Sequence, residues 1–129
     1  MAPTLKIEYS RGFLDYHYFV AKHNGDEIAR ITSQIFDKEK GYIIIRSLSV
    51  NVEYQNIGIG TKLMNKMMQF CIDNQITECE LNANPTFNCP MNVKQLVNWY
   101  GKFGFKNTDT ELDPNAEAIP LSNTEFKII

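Results

Sequence analysis

The residues whose types and spacing most directly suggest chemistry are Gln55-Asn56-Ile57-Gly58-Ile59-Gly60. Two glycines one residue apart, just ahead of a segment with helical periodicity, mark a turn at a helix start. The exposed N–H groups of a helix N-terminus, together with the positive end of its dipole, favour an anion there. Glycine has no Cβ, so its backbone can come close to a ligand. A phosphate or pyrophosphate group is what such a turn suits. Other reactive side chains are sparse. Cys71, Cys79 and Cys89 show no C-x-x-C spacing and stand far in sequence from His17 and His23, so no metal site is expected. Cys71 and Cys79 read as small buried apolar residues, and Cys89 as a loop thiol without a paired histidine.

Hydrophobic periodicity supplies the elements that position this turn. Residues 6–9 read as a short first strand, broken by Ser10-Arg11-Gly12. Residues 13–22 and 27–36 alternate as strands around the hairpin pair Asn24-Gly25, and a polar turn at 37–41 leads into a strand over 42–50. These make an antiparallel meander. After the glycine turn, Leu63, Met64, Met67, Met68, Cys71 and Ile72 form the stripe of a helix over 61–74, which packs on the sheet. Residues 77–83 form a strand with Cys79, Leu81 and Ala83 on one face. A turn-rich loop spans 84–92. A second helix over 93–103 is predicted from Val93, Leu96, Val97 and Tyr100, with Asn92 and Gln95 as a capping box and Gly104 as its stop. Residues 106–117 are polar and turn-like, and 118–121 and 125–129 read as closing strands. The order of elements predicts a mixed α/β (α+β) fold.

At 129 residues and 43% hydrophobic content the chain fits one domain, residues 1–129. A formal net charge of -2, with no basic block, argues against nucleic acid or an anionic membrane as partner. No apolar run approaches the roughly 20 residues a spanning helix needs. The N-terminal residues lack a signal-peptide core, so a cytoplasmic location is expected.

Two familiar phosphate motifs do not fit. A P-loop needs G-x-x-x-x-G-K-[ST], and a dinucleotide fingerprint needs a third glycine where Leu63 stands. The turn instead matches the Q/R-x-x-G-x-G/A signature, and Trp99-Tyr100-Gly101-Lys102-Phe103-Gly104-Phe105 looks like the Y-x-x-x-G-F motif, of the GNAT superfamily of acyl-CoA-dependent N-acetyltransferases. The resemblance runs from about Tyr42 to Phe105. It implies a central, mostly antiparallel mixed sheet split into a V, with helices on both faces. It also implies acetyl-CoA as co-substrate, wedged between the strand ending at Val50 and the strand around Glu80. In that arrangement Leu48, Ser49 and Val50 pair with the pantetheine arm, and backbone groups of Asn56, Ile57, Gly58, Ile59, Gly60 and Thr61 hold the pyrophosphate. Val50 N–H would face the thioester carbonyl, while Gln55 fits the signature or simply braces the turn.

The resemblance further implies transfer to a primary amine by direct attack. An alkylammonium with a pKa near 10 must first lose a proton. Glu80 is the candidate acceptor, with Glu78 second, and Tyr100 the candidate donor to the departing thiolate. Many family members carry a cofactor-contacting asparagine seven positions before the tyrosine; here that position is Val93, with Asn92 beside it. Between Tyr9 and Phe13 there is no room for the two helices that usually follow the first strand. The acceptor cleft is therefore expected to be more open, or completed by the 84–92 loop or a second subunit. Monomer and homodimer stay open, as do a small amine or polyamine and a protein N-terminus or lysine as acceptor. Asp109, Glu111, Asp113 and Glu117 could attract a cation or form a solvated loop. An acyl-CoA-binding regulatory module without turnover is the alternative function.

Overall fold

The computed structural model describes residues 5–85, 89–107 and 118–129. The acidic segment carrying Asp109, Glu111, Asp113 and Glu117, and the middle of the 84–92 loop, lie outside them. Strands β1 (Leu5–Arg11), β2 (Tyr16–His23), β3 (Asp26–Asp37) and β4 (Tyr42–Val50) come first in the chain. Helix α1 (Ile59–Asp73), β5 (Glu78–Ala83), α2 (Val93–Gly101), β6 (Lys106–Asn107) and β7 (Ile119–Asn123) follow. The seven described strands form one sheet in the order β1-β2-β3-β4-β5-β7-β6. Neighbours pair antiparallel except β4 and β5, which run parallel through only three pairs, Tyr42–Glu78, Ile43–Cys79 and Ile44–Glu80. Beyond Ile44 the two strands part. The sheet is a V whose arms are β1–β4 and β5–β7–β6, as the family resemblance implied.

A bulge accompanies the split. Thr32 faces Ser47 and Ser33 faces Ile45, which leaves Arg46 as an extra residue on β4. Such an insertion bends the strand and re-aims the residue it adds.

Side-chain parity separates the two faces of the sheet. Phe19, Ile31, Ile43, Cys79, Leu81 and Leu121 share one face and are buried with α1 and α2. Leu63, Met64, Met67, Met68 and Cys71 of α1 are buried against it, so the methionine stripe is core. α2 uses the same face: the Tyr100 ring packs on Phe105, while Asn123 bonds Phe103 O at 2.8 Å and approaches Met68 Sδ at 3.4 Å. Helices on both faces were expected, and here the described residues depart from that. The connections β4-α1-β5 and β5-α2-β6 each join parallel strands and advance the same way along the sheet. Right-handed crossovers then put both helices on one side. The opposite face would need the two helices after β1, and there the chain makes only a turn.

That turn also corrects the strand expected over 13–22. Phe13–Asp15 is a single 3-10 turn with Leu14 at φ 56 and Asp15 at φ 59, so β2 begins at Tyr16. His17, buried, fastens the turn to the sheet: its Nε2 donates to Asp15 Oδ1 at 2.9 Å and its Nδ1 shares a hydrogen bond with the Tyr9 hydroxyl at 2.6 Å. At the other end, residues 125–129 form no strand; Ile129 instead pairs its N–H and C=O with the Asn65 side chain. Helix α2 stops at Gly101, two residues before the expected end, because Phe103 and Gly104 N–H turn back to Tyr100 and Gly101. Gly104 has φ +103, and a Cβ there would sit 2.7 Å from Asn123 Oδ1. Among the described residues no helix is long and apolar enough to cross a membrane.

Candidate functional site

The parting of β4 and β5 opens two adjoining clefts. The first, about 300 Å³, lies over the helix-covered side and is lined by Leu48, Ser49 and Val50 of β4, by the glycine turn, and by Cys89, Trp99 and Tyr100. The second, about 400 Å³, lies between the diverging strands and includes Arg46, Ser47, Glu80, Asn82 and Pro120. Leu48, Asn84 and Tyr100 line both. Their volumes fall in the range usual for small-molecule sites.

The first cleft begins at the end of β4. Asn51 N–H donates to Ile28 O at 2.8 Å, on the β3 side. Backbone groups alternate along a strand, so the N–H and C=O of Val50 point the other way, toward the cleft. Gln55 Nε2 donates to Val50 O at 3.0 Å and ties the turn back to the strand end. Its bracing role is thus visible. Asn56 takes φ 64 and Gly58 φ 87 before α1 starts at Ile59, two residues earlier than periodicity placed it. Gly58 is the N-cap, and no atom lies within 4 Å of where its Cβ would be; its left-handed φ, not crowding, requires glycine. No charged residue is among the described lining of this cleft, and the first turn of α1 carries no acidic side chain. An anion there meets the helix dipole and free N–H groups without opposition. The donor set fits a pyrophosphate.

Of the residues nominated from sequence, Leu48, Ser49, Val50, Gln55, Asn56, Gly58, Ile59, Gly60, Thr61 and Tyr100 come together in the first cleft, while Glu80 lines the second. Ile57 is exposed and lines neither. Asn92 also lines neither: its Oδ1 accepts Gln95 N–H and its own N–H donates to Gln95 Oε1, both at 2.9 Å, so the predicted capping box holds the start of α2. Tyr54, Asn84, Cys89, Met91 and Trp99 were missed, since loop residues and the outer side of a helix carry no periodic signal. Arg46 was missed too, although it is the lone charge in an otherwise uncharged strand.

Electrostatics distinguish the two polar candidates. Tyr100 is 8% exposed, and burial, with a smaller influence from Cys89, pushes its phenol up to about 12. It therefore keeps its proton at neutral pH. Glu80 Oε2 accepts a hydrogen bond from the Tyr42 hydroxyl across the three-pair contact of β4 and β5. Burial, then the bond to Glu80, raises Tyr42 well above its ordinary value, so Tyr42 stays a donor. Glu78, on the same strand face, accepts from Ser122 Oγ at 3.1 Å.

Solved structures with this architecture are known. A GNAT family acetyltransferase from Elizabethkingia anophelis with acetyl-CoA bound is 16% identical over 94% of this chain and 98% of its own, with a TM-score of 0.72. IAA acetyltransferase from Bacillus cereus is 18% identical over 93% of this chain and 99% of its own, with a TM-score of 0.69. PaiA N-acetyltransferase from Thermoplasma acidophilum in complex with coenzyme A is 20% identical over 86% of this chain and 62% of its own, with a TM-score of 0.66. At such identities these likenesses show the fold. No curated protein matches the sequence. The acetyltransferase (GNAT) domain family matches residues 14–107, from the turn before β2 through the glycine turn and Tyr100 to β6, and the chain belongs to that family.

Proposed function

We propose that the chain is an acetyl-CoA-dependent N-acetyltransferase acting on a primary amine, with the donor in the first cleft and the acceptor entering through the second. The observation that carries this reading is the shared wall: Tyr100, Leu48 and Asn84 line both clefts, so two molecules can meet there.

The amine must reach the thioester uncharged, and Glu80 accepts its proton directly or through one water. The amine nitrogen then bonds to the carbonyl carbon while negative charge gathers on the carbonyl oxygen. Val50 N–H, turned toward the cleft, is the donor aimed at that charge. As the carbon–sulfur bond breaks, the electron pair leaves on sulfur, and Tyr100 O–H donates a hydrogen bond to it. The second proton of the acylated nitrogen leaves for that thiolate through solvent, giving the neutral amide and free CoA thiol. The magnitudes decide the form this help takes. A phenol at about 12 is a weaker acid than a thiol at about 8.5, so handing over the proton outright costs roughly 4–5 kcal/mol. Tyr100 therefore acts as a hydrogen-bond donor to the thiolate, not as the source of a transferred proton. The neutral wall and helix N-terminus hold the pyrophosphate, and β4 backbone pairs with the pantetheine arm.

Free-thiol release from acetyl-CoA, measured across a panel of amines and peptides with products identified by mass spectrometry, tests the reading. Acetylated amine and stoichiometric thiol are expected. Acetyl-CoA at millimolar concentration that gives neither a thermal shift nor calorimetric heat overturns it.

A further inference from the structure

The second cleft carries a charge pattern that acetyl transfer by itself does not require. Arg46 and Glu80 are the charged residues among its described lining, one from each diverging strand. Glu80 is provided for by Tyr42. Arg46 likewise has a neutral partner and, among the described residues, no acidic one. Its guanidinium is exposed and donates to Gln34 Oε1 at 2.9 Å. Three other basic residues of the sheet differ: Arg30 pairs with Glu27, Lys22 with Glu8 and Arg11 with Asp15.

The position of Arg46 is built. It is the extra residue of the β4 bulge, next to the point where β4 leaves β5. Gln34 is oriented from both ends, since its Nε2 donates to Leu14 O at 3.1 Å while its Oε1 accepts from Arg46. Leu14 belongs to the left-handed turn that stands where this family usually has helices. One of the five N–H donors of the guanidinium is thus used, and the rest remain for a planar anion.

We propose that the acceptor is a primary amine that also carries an anionic group, first of all a carboxylate, and that Arg46 selects it while Glu80 receives the ammonium end. This rests on the reading above that the second cleft admits the acceptor. The same pattern disfavours polyamines, whose second ammonium would be set against the like charge of a guanidinium.

The test compares amino acids with their own carboxamides, and an aminoalkyl phosphate with its alcohol, using kcat/KM in the wild type, Arg46→Gln, Arg46→Lys and Gln34→Ala. A carboxamide has the less basic amine, which raises its reactive fraction, so preference for the acid runs against that trend. The acid is expected to be favoured by about ten- to hundredfold, the range of a charge-assisted hydrogen bond. Arg46→Gln brings the ratio to about one, Arg46→Lys keeps part of it, and Gln34→Ala raises KM for the acid while kcat holds. The phosphate arm decides whether carboxylate or phosphate is the better anion. Calorimetric binding of the same pairs to the CoA-saturated protein, which needs no turnover, gives the second readout, and melting curves of each variant confirm folding. Arg46-dependent binding of the acid without acetyl transfer would overturn the enzymatic reading and with it the acceptor role, while upholding Arg46 as the group that selects the anion. Equal handling of acid and amide, a ratio unchanged in Arg46→Gln, or no binding of either partner overturns the proposal.

Discussion

On the face covered by α1 and α2, the strands present Phe19, Ile31, Ile43, Leu81 and Leu121, all in the buried core. On the other face the same strands present mainly Tyr18, Arg30, Thr32, Gln34, Tyr42 and Glu80, with a Tyr42–Glu80 hydrogen bond, an Arg46–Gln34 hydrogen bond and an Arg30–Tyr18 cation–π contact at 5.1 Å. The strands are common to both, so the difference comes from what lies on them. A helix on one side removes apolar surface from water. On the other side, where only Gly12 and the Phe13–Asp15 turn join β1 to β2, the sheet has to satisfy itself with polar side chains and keeps its cleft accessible. Stability is concentrated on the first face, and the selective groups of the proposed acceptor site stand on the second.

The comparison can be broken by substitution. Phe103→Ala removes a fully buried ring below α2 and is expected to cost about 3–5 kcal/mol in denaturant unfolding. Thr32→Ala on the open face is expected to stay within about 0.5 kcal/mol. Equal costs for the two would mean that the open face is covered in solution. Gly104→Ala comes next, at about 2–3 kcal/mol, because an L side chain is strained at φ +103 and its Cβ would press on Asn123 Oδ1. Melting curves read this directly.

Tyr100→Phe keeps the ring that packs on the covered face and deletes the hydroxyl in the shared wall. It should lower kcat about ten- to hundredfold while the CoA Kd moves little. Equal losses in both would remove its donor role. The same phenol imposes no alkaline limit on the rate until the pH nears its raised value of about 12, since below that it holds its proton. Asn92→Ala should cost about 1 kcal/mol through the lost cap of α2. A tenfold weaker CoA Kd would instead place that side chain on the cofactor.

The smallest effect belongs to the open-face rim. Hydrogen bonds from Lys22, then Lys6, hold the exposed Glu8 carboxyl below its ordinary value of 4.5. A lowered folded-state pKa means the ion pair contributes above 4.5 and is lost as pH falls through the lowered value. The Tm difference between wild type and Glu8→Gln should therefore be small at neutral pH and vanish in acid.

Much was legible in the residues themselves. Alternation and helical stripes placed the meander, both helices and the β5 strand, because burial against a single sheet imposes its period on each element. The Gln55–Gly60 turn and Tyr100 could be read because they depend on local backbone geometry and a fixed spacing. Other features depend on which elements meet. The turn at Phe13–Asp15 reads as strand by composition and is bent by contacts with Gln34 and His17. The two-residue β6 exists through its pairing with β7, and Asn92 could have served cofactor or helix until Gln95 settled its hydrogen bonds. The sequence alone therefore determined the family, the glycine turn before α1 and the apolar face, all written in short-range pattern. Only the tertiary structure decided that both helices share one face, that β4 bulges at Arg46 where it parts from β5, and that Tyr100 stands in the wall between two clefts. Those follow from crossover handedness and strand register, which relate residues far apart in the chain.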